Sequence, residues 1–359
     1  MKKTLILTSA LVGVAGAPQA QEGQLNLLSW GGSYGNSHVE AYAKPFEAET
    51  GIRVTISDAD NPATPLKAQV EAGNVTTDIA SVEYADAVRL CDEGLLEEID
   101  ASVLVDAEDG TTPEDDFIDG AITECFIGTD VYSMVLAYND DQFPDAKPSA
   151  PADFFDTENF PGKRSMRKGA KFNLEFALMA DGVPADEVYD LLGTPEGVDR
   201  AFAKLEEIKP DVIWWEAGAQ PPQLLADGEV SMAYAFNGRI FAAAQEDDLP
   251  FEIVWDGQIY EMEGWVIPQG AQNVEAAHEF IAFTTAPQHQ ARAAEFISYG
   301  PPRRSAAALV GNMEGTDIPM GPNLPTYAEN MTNALASNLD FWVDHDGELN
   351  ERFSAWLAQ

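Results

Sequence analysis

LNLLSWGGSYGNSHVEAYAKPFEAETGIRV, residues 25–54, passes from strand to helix to strand, and its reading decides the fold. Leu25, Leu27 and Leu28 form a short apolar run, the pattern of a buried strand. Ser29 to Gly35 reads as a turn-rich loop, in which Gly31 and Gly32 remove the Cβ penalty on unusual φ values. Ser37 and Glu40 have capping-box spacing, so a helix is expected to begin there. Val39, Tyr42 and Phe46 then share one face, and Gly51 is placed to end the helix. Pro45 inside that helix predicts a kink, because it removes one hydrogen bond. Ile52, Val54 and Ile56 alternate as a second strand. The product is a β–loop–α–β unit with Trp30, Ser33 and Tyr34 beyond the carboxyl end of its first strand, the edge where open α/β sheets bind ligands.

Outward from this unit the same alternation continues. TDIASV (residues 77–82) predicts a strand that delivers Glu83 and Tyr84, followed by a helix to Cys91 and a stop at Gly94. Val131–Asn139 and Tyr260–Pro268 are apolar enough to cross between two halves of the molecule. Shorter strands are expected at Lys163–Arg167, Val212–Trp215, Val230–Phe236 and Phe251–Val254, with helices between them and a closing amphipathic helix over Phe341–Leu357. Strand–helix alternation with short loops predicts an α/β protein. Two crossing strands divide it into discontinuous lobes, residues 21–133 plus 263–306 and residues 134–262 plus 307–359, a geometry suited to hinge closure on a ligand.

Residues 1–20 stand apart. Lys2 and Lys3 precede an apolar run over Leu5–Val14 and small residues up to Ala20, the pattern of a cleavable secretory signal peptide. No cysteine precedes Cys91, so no lipid-attachable Cys stands at a cleavage point; the expected location is the periplasm, without a lipid anchor. Cys91 and Cys125 are an even pair, which in an exported protein reads as a structural disulfide. Lys plus Arg total 20 against 61 acids, a formal net charge of −41 over 359 residues. That balance argues against nucleic acid or an anionic membrane as partner. It attracts cationic solutes weakly at best in saline surroundings, where screening is strong. His38, His278, His289 and His345 lack ligand spacing, so neither a metal nor another cofactor is expected.

Taken in order, SWGGSYG, PFEAETGIRV, DIASVEYADAVRLCDEGLLEEID, FPGK, GEVSMAYAFNGR, YEMEGWVIP and EFISYGPPRRSAA resemble the spermidine/putrescine-binding branch of the bacterial extracellular solute-binding proteins, which serve ABC importers. The resemblance covers essentially the whole chain after residue 20. It implies the two-lobe periplasmic binding protein fold (type II-like), a monomer that binds a small molecule between its lobes and docks on a membrane permease, and no chemistry of its own. It assigns Trp30 and Tyr34 to the first wall of the cleft, Tyr84 and Phe236 to further aromatic positions, Glu263 to the grip on an amine with Glu261 beside it, and Tyr299 to the second hinge. Trp214 and Trp215 are adjacent and point to opposite faces of an extended segment, so one of them, taken as Trp215, is expected to face the cleft.

One segment departs from the resemblance. After the PGK turn, polyamine binders carry acids, whereas this chain reads RSMRKGAKFN, with Arg167, Lys168 and Lys171. The expected solute is therefore a small organic amine or zwitterion. The alternative is a small carboxylate held by Arg167 and Lys168, with Arg303 and Arg304 as further candidates for bidentate contact. A carboxylate-based exported hydrolase is the alternative from another class; the chain has no G-x-S-x-G, H-E-x-x-H or P-loop motif. A ferric-ion binder would need clustered tyrosines.

Overall fold

The computed structural model describes residues 23–359; the expected signal peptide lies outside them. Nine strands form one mixed sheet: β1 (Gln24–Ser29), β2 (Arg53–Asp58), β3 (Ile79–Glu83), β4 (Ile127–Asn139), β5 (Arg164–Arg167), β6 (Val212–Trp215), β7 (Met232–Phe236), β8 (Phe251–Val266) and β9 (Leu335–Ala336). Their spatial order is β2-β1-β3-β8-β4-β7-β5-β6, with β9 added on β8. Parallel pairing of β2, β1 and β3 builds one half, and parallel pairing of β7, β5 and β6 builds the other. Between them β4 and β8, 13 and 16 residues long, pair antiparallel from Ile127↔Trp265 to Asn139↔Phe251. These are the two expected crossing strands; of the three expected lobe breaks, 133/134 and 262/263 fall inside them and 306/307 falls in the short helix Arg304–Ala307. Phe251–Val254 and Tyr260–Pro268, expected as separate strands, fall on one continuous β8 that ends at Val266, because the partner β4 is long enough to hydrogen-bond both segments.

Each half has its own apolar core. Leu25, Leu27, Phe46, Ile79, Trp265 and Phe280 pack together under the first half. Met166, Phe172, Phe176, Tyr234, Trp342 and Phe353 belong to the second, where Phe176 and Tyr234 stack at 3.6 Å. Cys91 and Cys125 form the expected disulfide. It ties the end of the helix Tyr84–Asp92 to the residues leading into β4. Among the described residues no helix is long and apolar enough to cross a membrane.

The opening unit holds the main correction. The helix starts at Gly32, not Ser37, so Ser33 and Tyr34 sit on its first turn rather than on a loop. Gly31 and Gly32 have φ of +66° and +60°, which lets the chain turn from β1 into the helix within two residues. The Ser37–Glu40 capping box does not form; the Ser37 hydroxyl instead donates to the Tyr34 carbonyl, 2.7 Å away. A π-helical turn, His38–Ala43, then leads without a break into α-helix Lys44–Thr50, so Pro45 lies just past a widened turn within one continuous helical run.

Candidate functional site

The carboxyl ends of β1, β3 and β7, the middle of β4 and β8, and the segment around Tyr299 converge on one cavity. It opens in part to solvent and is lined by Trp30, Tyr34, Glu83, Tyr132, Phe236, Arg239, Glu263 and Tyr299. Strand alternation selects several of these residues. Glu261 and Glu263 are two apart on β8 and share a face. Their cross-strand partners are Tyr132 and Asp130 on β4, and Glu83 on β3 stands opposite Glu263.

Glu263 is buried. Its Oε1 accepts from the Trp30 indole N–H at 2.7 Å and the Ser81 hydroxyl at 2.9 Å. Burial, then the charges of Asp130 and Glu83, push its carboxyl well above the ordinary range, against the pull of those two donors. Asp130 accepts from Tyr34 and Thr129 at 2.8 and 3.0 Å, yet burial pushes it up to about 7, and its Oδ1 has no hydrogen-bond partner. Trp30, Tyr34, Ser81, Asp130 and Glu263 thus form one connected network whose carboxylates lack a cation. Buried carboxylates of this kind demand one when ionised.

Arg239 provides the opposite charge. It lies in the first turn of the helix Asn237–Glu246 that follows β7, and only 6% of it is exposed. Among the described residues it makes no ion pair. Its Nε has no partner, and its Nη2 reaches only the Trp30 carbonyl, at 3.4 Å. A Cβ at Gly32 would collide with its Nη1, so glycine at that position makes room for the guanidinium. Phe236 meets Tyr132 edge-on at 5.4 Å, and Tyr299 stands 5.5 Å from Tyr34, which completes the aromatic walls.

A second, wider cavity, open in part to solvent, lies beside the first and shares Glu83 with it. Glu83 accepts from Arg167 at 2.8 Å and from Lys171 at 3.0 Å, while Lys171 also pairs with Glu261 at 2.5 Å. Burial opposes ionisation of Glu83, but Lys171 and Arg167 prevail and hold its carboxyl down to about 2. Tyr132 donates to Glu261 at 3.2 Å. These two acids and two bases neutralise one another, leaving Glu263 and Arg239 as the unpaired charged groups on the lining, with Asp130 next to Glu263 but behind the wall.

The expected site residues therefore divide. Trp30, Tyr34, Phe236, Glu263 and Tyr299 meet at the cavity, and Glu261 stands behind its wall. Arg167 is committed to Glu83. Lys168 lies outside the first cavity, on the rim of the second, exposed and paired with Glu216 at 2.7 Å. Tyr84 turns away to stack on Phe126 at 4.9 Å. Trp215 is a core residue, only 1% exposed, that donates to the Tyr234 carbonyl and supports Phe236 from behind at 5.6 Å. Ser33 is on the helix turn but not in the lining. Arg303 is buried against Asp116 at 2.6 Å, and Arg304 caps backbone carbonyls, so neither reaches the cavity. The acids, bases and sulfurs with metal-ligand spacing among the described residues, Cys91, Cys125 and Glu124, surround the disulfide, whose bond removes both thiolates. Sequence reading missed Arg239, Tyr132 and Asp130. Arg239 follows a strand end, at AFNGR, and a cation at such a place was the available signal.

Known proteins place this geometry. Residues 41–326 match the family model for bacterial extracellular solute-binding proteins. A gamma-aminobutyric acid-binding protein of Pseudomonas aeruginosa is 44% identical over 345 residues, covering 96% of this chain and 94% of that one. Among solved structures, the GABA receptor Atu4243 is 35% identical with a TM-score of 0.78, covering 94% of this chain and 98% of that one. The periplasmic binding protein MotA of A. tumefaciens B6, in complex with glucopine, reaches a TM-score of 0.84 at 29% identity, covering 93% and 99%. These relatives are binding proteins, which sets the hydrolase alternative aside. With its two halves, crossing strands and charged aromatic cleft, the chain belongs to the bacterial extracellular solute-binding proteins and has their two-lobe fold.

Proposed function

We propose that this protein is the periplasmic solute-binding component of an ABC importer and that its solute is a short ω-amino acid of the γ-aminobutyrate (GABA) class. In this reading residues 1–20 are its export signal, and the monomer delivers the solute to a membrane permease. The observation that carries the reading is Arg239: a buried guanidinium with no ion-pair partner among the described residues, lining the same cavity as Glu263. A solute carboxylate would take Arg239, with bidentate geometry available. Its ammonium would take Glu263, backed by the neighbouring charge of Asp130 and flanked by Trp30, Phe236, Tyr132 and Tyr299. Aromatic faces add about 0.5–2 kcal/mol each to a desolvated cation. The GABA-binding relatives support the same class. Arg167 and Lys168, the anchors expected for a carboxylate-only solute, are already paired, and the anchor left to a carboxylate, Arg239, shares its cavity with Glu263, which favours a solute that also carries a cation.

Calorimetric titration with GABA, butylamine and butyrate separates the two ends. Binding of GABA at one per chain is expected, with each single-charge analogue weaker by at least about tenfold, or 1.4 kcal/mol. Equal affinity for butylamine and GABA would remove the carboxylate grip from the proposal.

A further inference from the structure

We infer that Lys171 is a specificity-determining residue: its ammonium, held between Glu83 and Glu261, fills the place that the second ammonium of a short diamine would need. This rests on the cavity described above being the solute site. The geometry is a ladder of carboxylates along the crossing strands. Glu261 and Glu263 lie on one face of β8, about 7 Å apart for two residues of strand. Glu83 stands across from Glu263. A diamine gripped at one end by Glu263 would extend its other ammonium toward Glu83 and Glu261.

That position is already occupied from within the chain. Lys171 Nζ is 3.0 Å from Glu83 and 2.5 Å from Glu261, its side chain only 11% exposed, and it lies 5.3 Å from the Phe172 ring centre. Tyr132 fills a further bond of Glu261. Glu83 lines both cavities, so the Lys171–Glu83 pair stands at the wall between them. A second solute ammonium would have to displace a tethered one and would also face Arg167, which is bonded to the same Glu83 carboxylate. Like charges in a poorly screened cleft repel strongly. A solute with one cationic end meets no such conflict, because its other end turns to Arg239. Selection of a zwitterion over a diamine is therefore achieved in part by repulsion, alongside the attractive contacts.

The test is putrescine binding by calorimetry to the full mature chain, wild type against Lys171→Met and Lys171→Gln. Lys171→Met removes the ammonium and keeps the length of the side chain; Lys171→Gln keeps a hydrogen-bond donor beside Glu261 if the apolar variant folds poorly. Putrescine affinity is expected to rise on the order of tenfold or more in either folded variant. Adding Glu261→Gln should abolish that gain, because it removes the carboxylate that the new ammonium would join. No gain in a variant with wild-type circular dichroism overturns the inference, as does a gain that persists with Glu261→Gln. GABA titrated in parallel keeps the two proposals apart. Wild type that fails to bind GABA contradicts the function proposed above, while the putrescine comparison still reads Lys171 directly.

Discussion

At the scale of single residues, the site is a set of charges whose ionisation depends on what enters. Asp130 and Glu263 both have raised carboxyl pKa values, caused first by burial. They bind protons more tightly folded than unfolded, so their contribution to stability is complete below the ordinary carboxylate range and is lost as pH rises towards 7. Binding has the opposite sign. A solute ammonium favours the ionised forms, so GABA affinity should rise as pH increases through the range up to about 7, the Asp130 value, with protons released on binding below it. Titrations in buffers of different ionisation enthalpy count those protons. The groups facing the pair are Trp30, Tyr34, Ser81, Thr129 and Glu83, which donate, repel or hold position without titrating in that window. Trp30 is the wall residue bonded to Glu263. Trp30→Ala should weaken GABA by roughly 1–3 kcal/mol with the fold retained, through loss of that donor and of the aromatic face.

At the scale of elements, the site depends on how strand ends and helix starts approach each other. Gly238, in the helix after β7, illustrates this: an added Cβ would lie 2.5 Å from Ile297 and 2.6 Å from the Tyr299 ring. Gly238→Ala should therefore displace Tyr299, costing about 1–3 kcal/mol of stability by overpacking and lowering GABA affinity, as thermal melts and titrations would show. The strands other than β9, and the disulfide, were legible in the sequence because each leaves a local signature: alternation at Met232–Phe236, an even cysteine pair. The start of the first helix was not, because the twin glycines look like loop yet here form a two-residue turn directly into helix. Nor were the partners of Arg167 and Arg239. Both are arginines near strand ends, and only tertiary structure brings Glu83 to one and leaves the other unpaired. Tyr84 and Trp215 were misplaced for a similar reason, since an aromatic after a strand packs inward or outward according to neighbours distant in the chain, here Phe126 and Tyr234.

At the scale of the whole molecule, the two lobes share one sheet through β4 and β8, so a closure of the lobes would bend strands that also carry Asp130, Tyr132, Glu261 and Glu263. We propose that hinge and site share these residues, which would couple solute capture to lobe position. The net charge of −41 acts on the same scale. Self-repulsion on this scale destabilises the compact state, so melting temperature should rise between low and seawater-like sodium chloride; a flat or falling curve would show that the surface acids are already relieved by local pairing. The central claim is that one solute is held at both ends, by Arg239 and by Glu263 with Asp130. Its most direct test is a calorimetric cycle, GABA against butylamine on wild type and on Arg239→Gln. The expected result is a loss of roughly 2–5 kcal/mol for GABA and little change for butylamine. Equal losses for the two solutes would contradict the claim, since Arg239 would then hold the cleft together rather than the carboxylate.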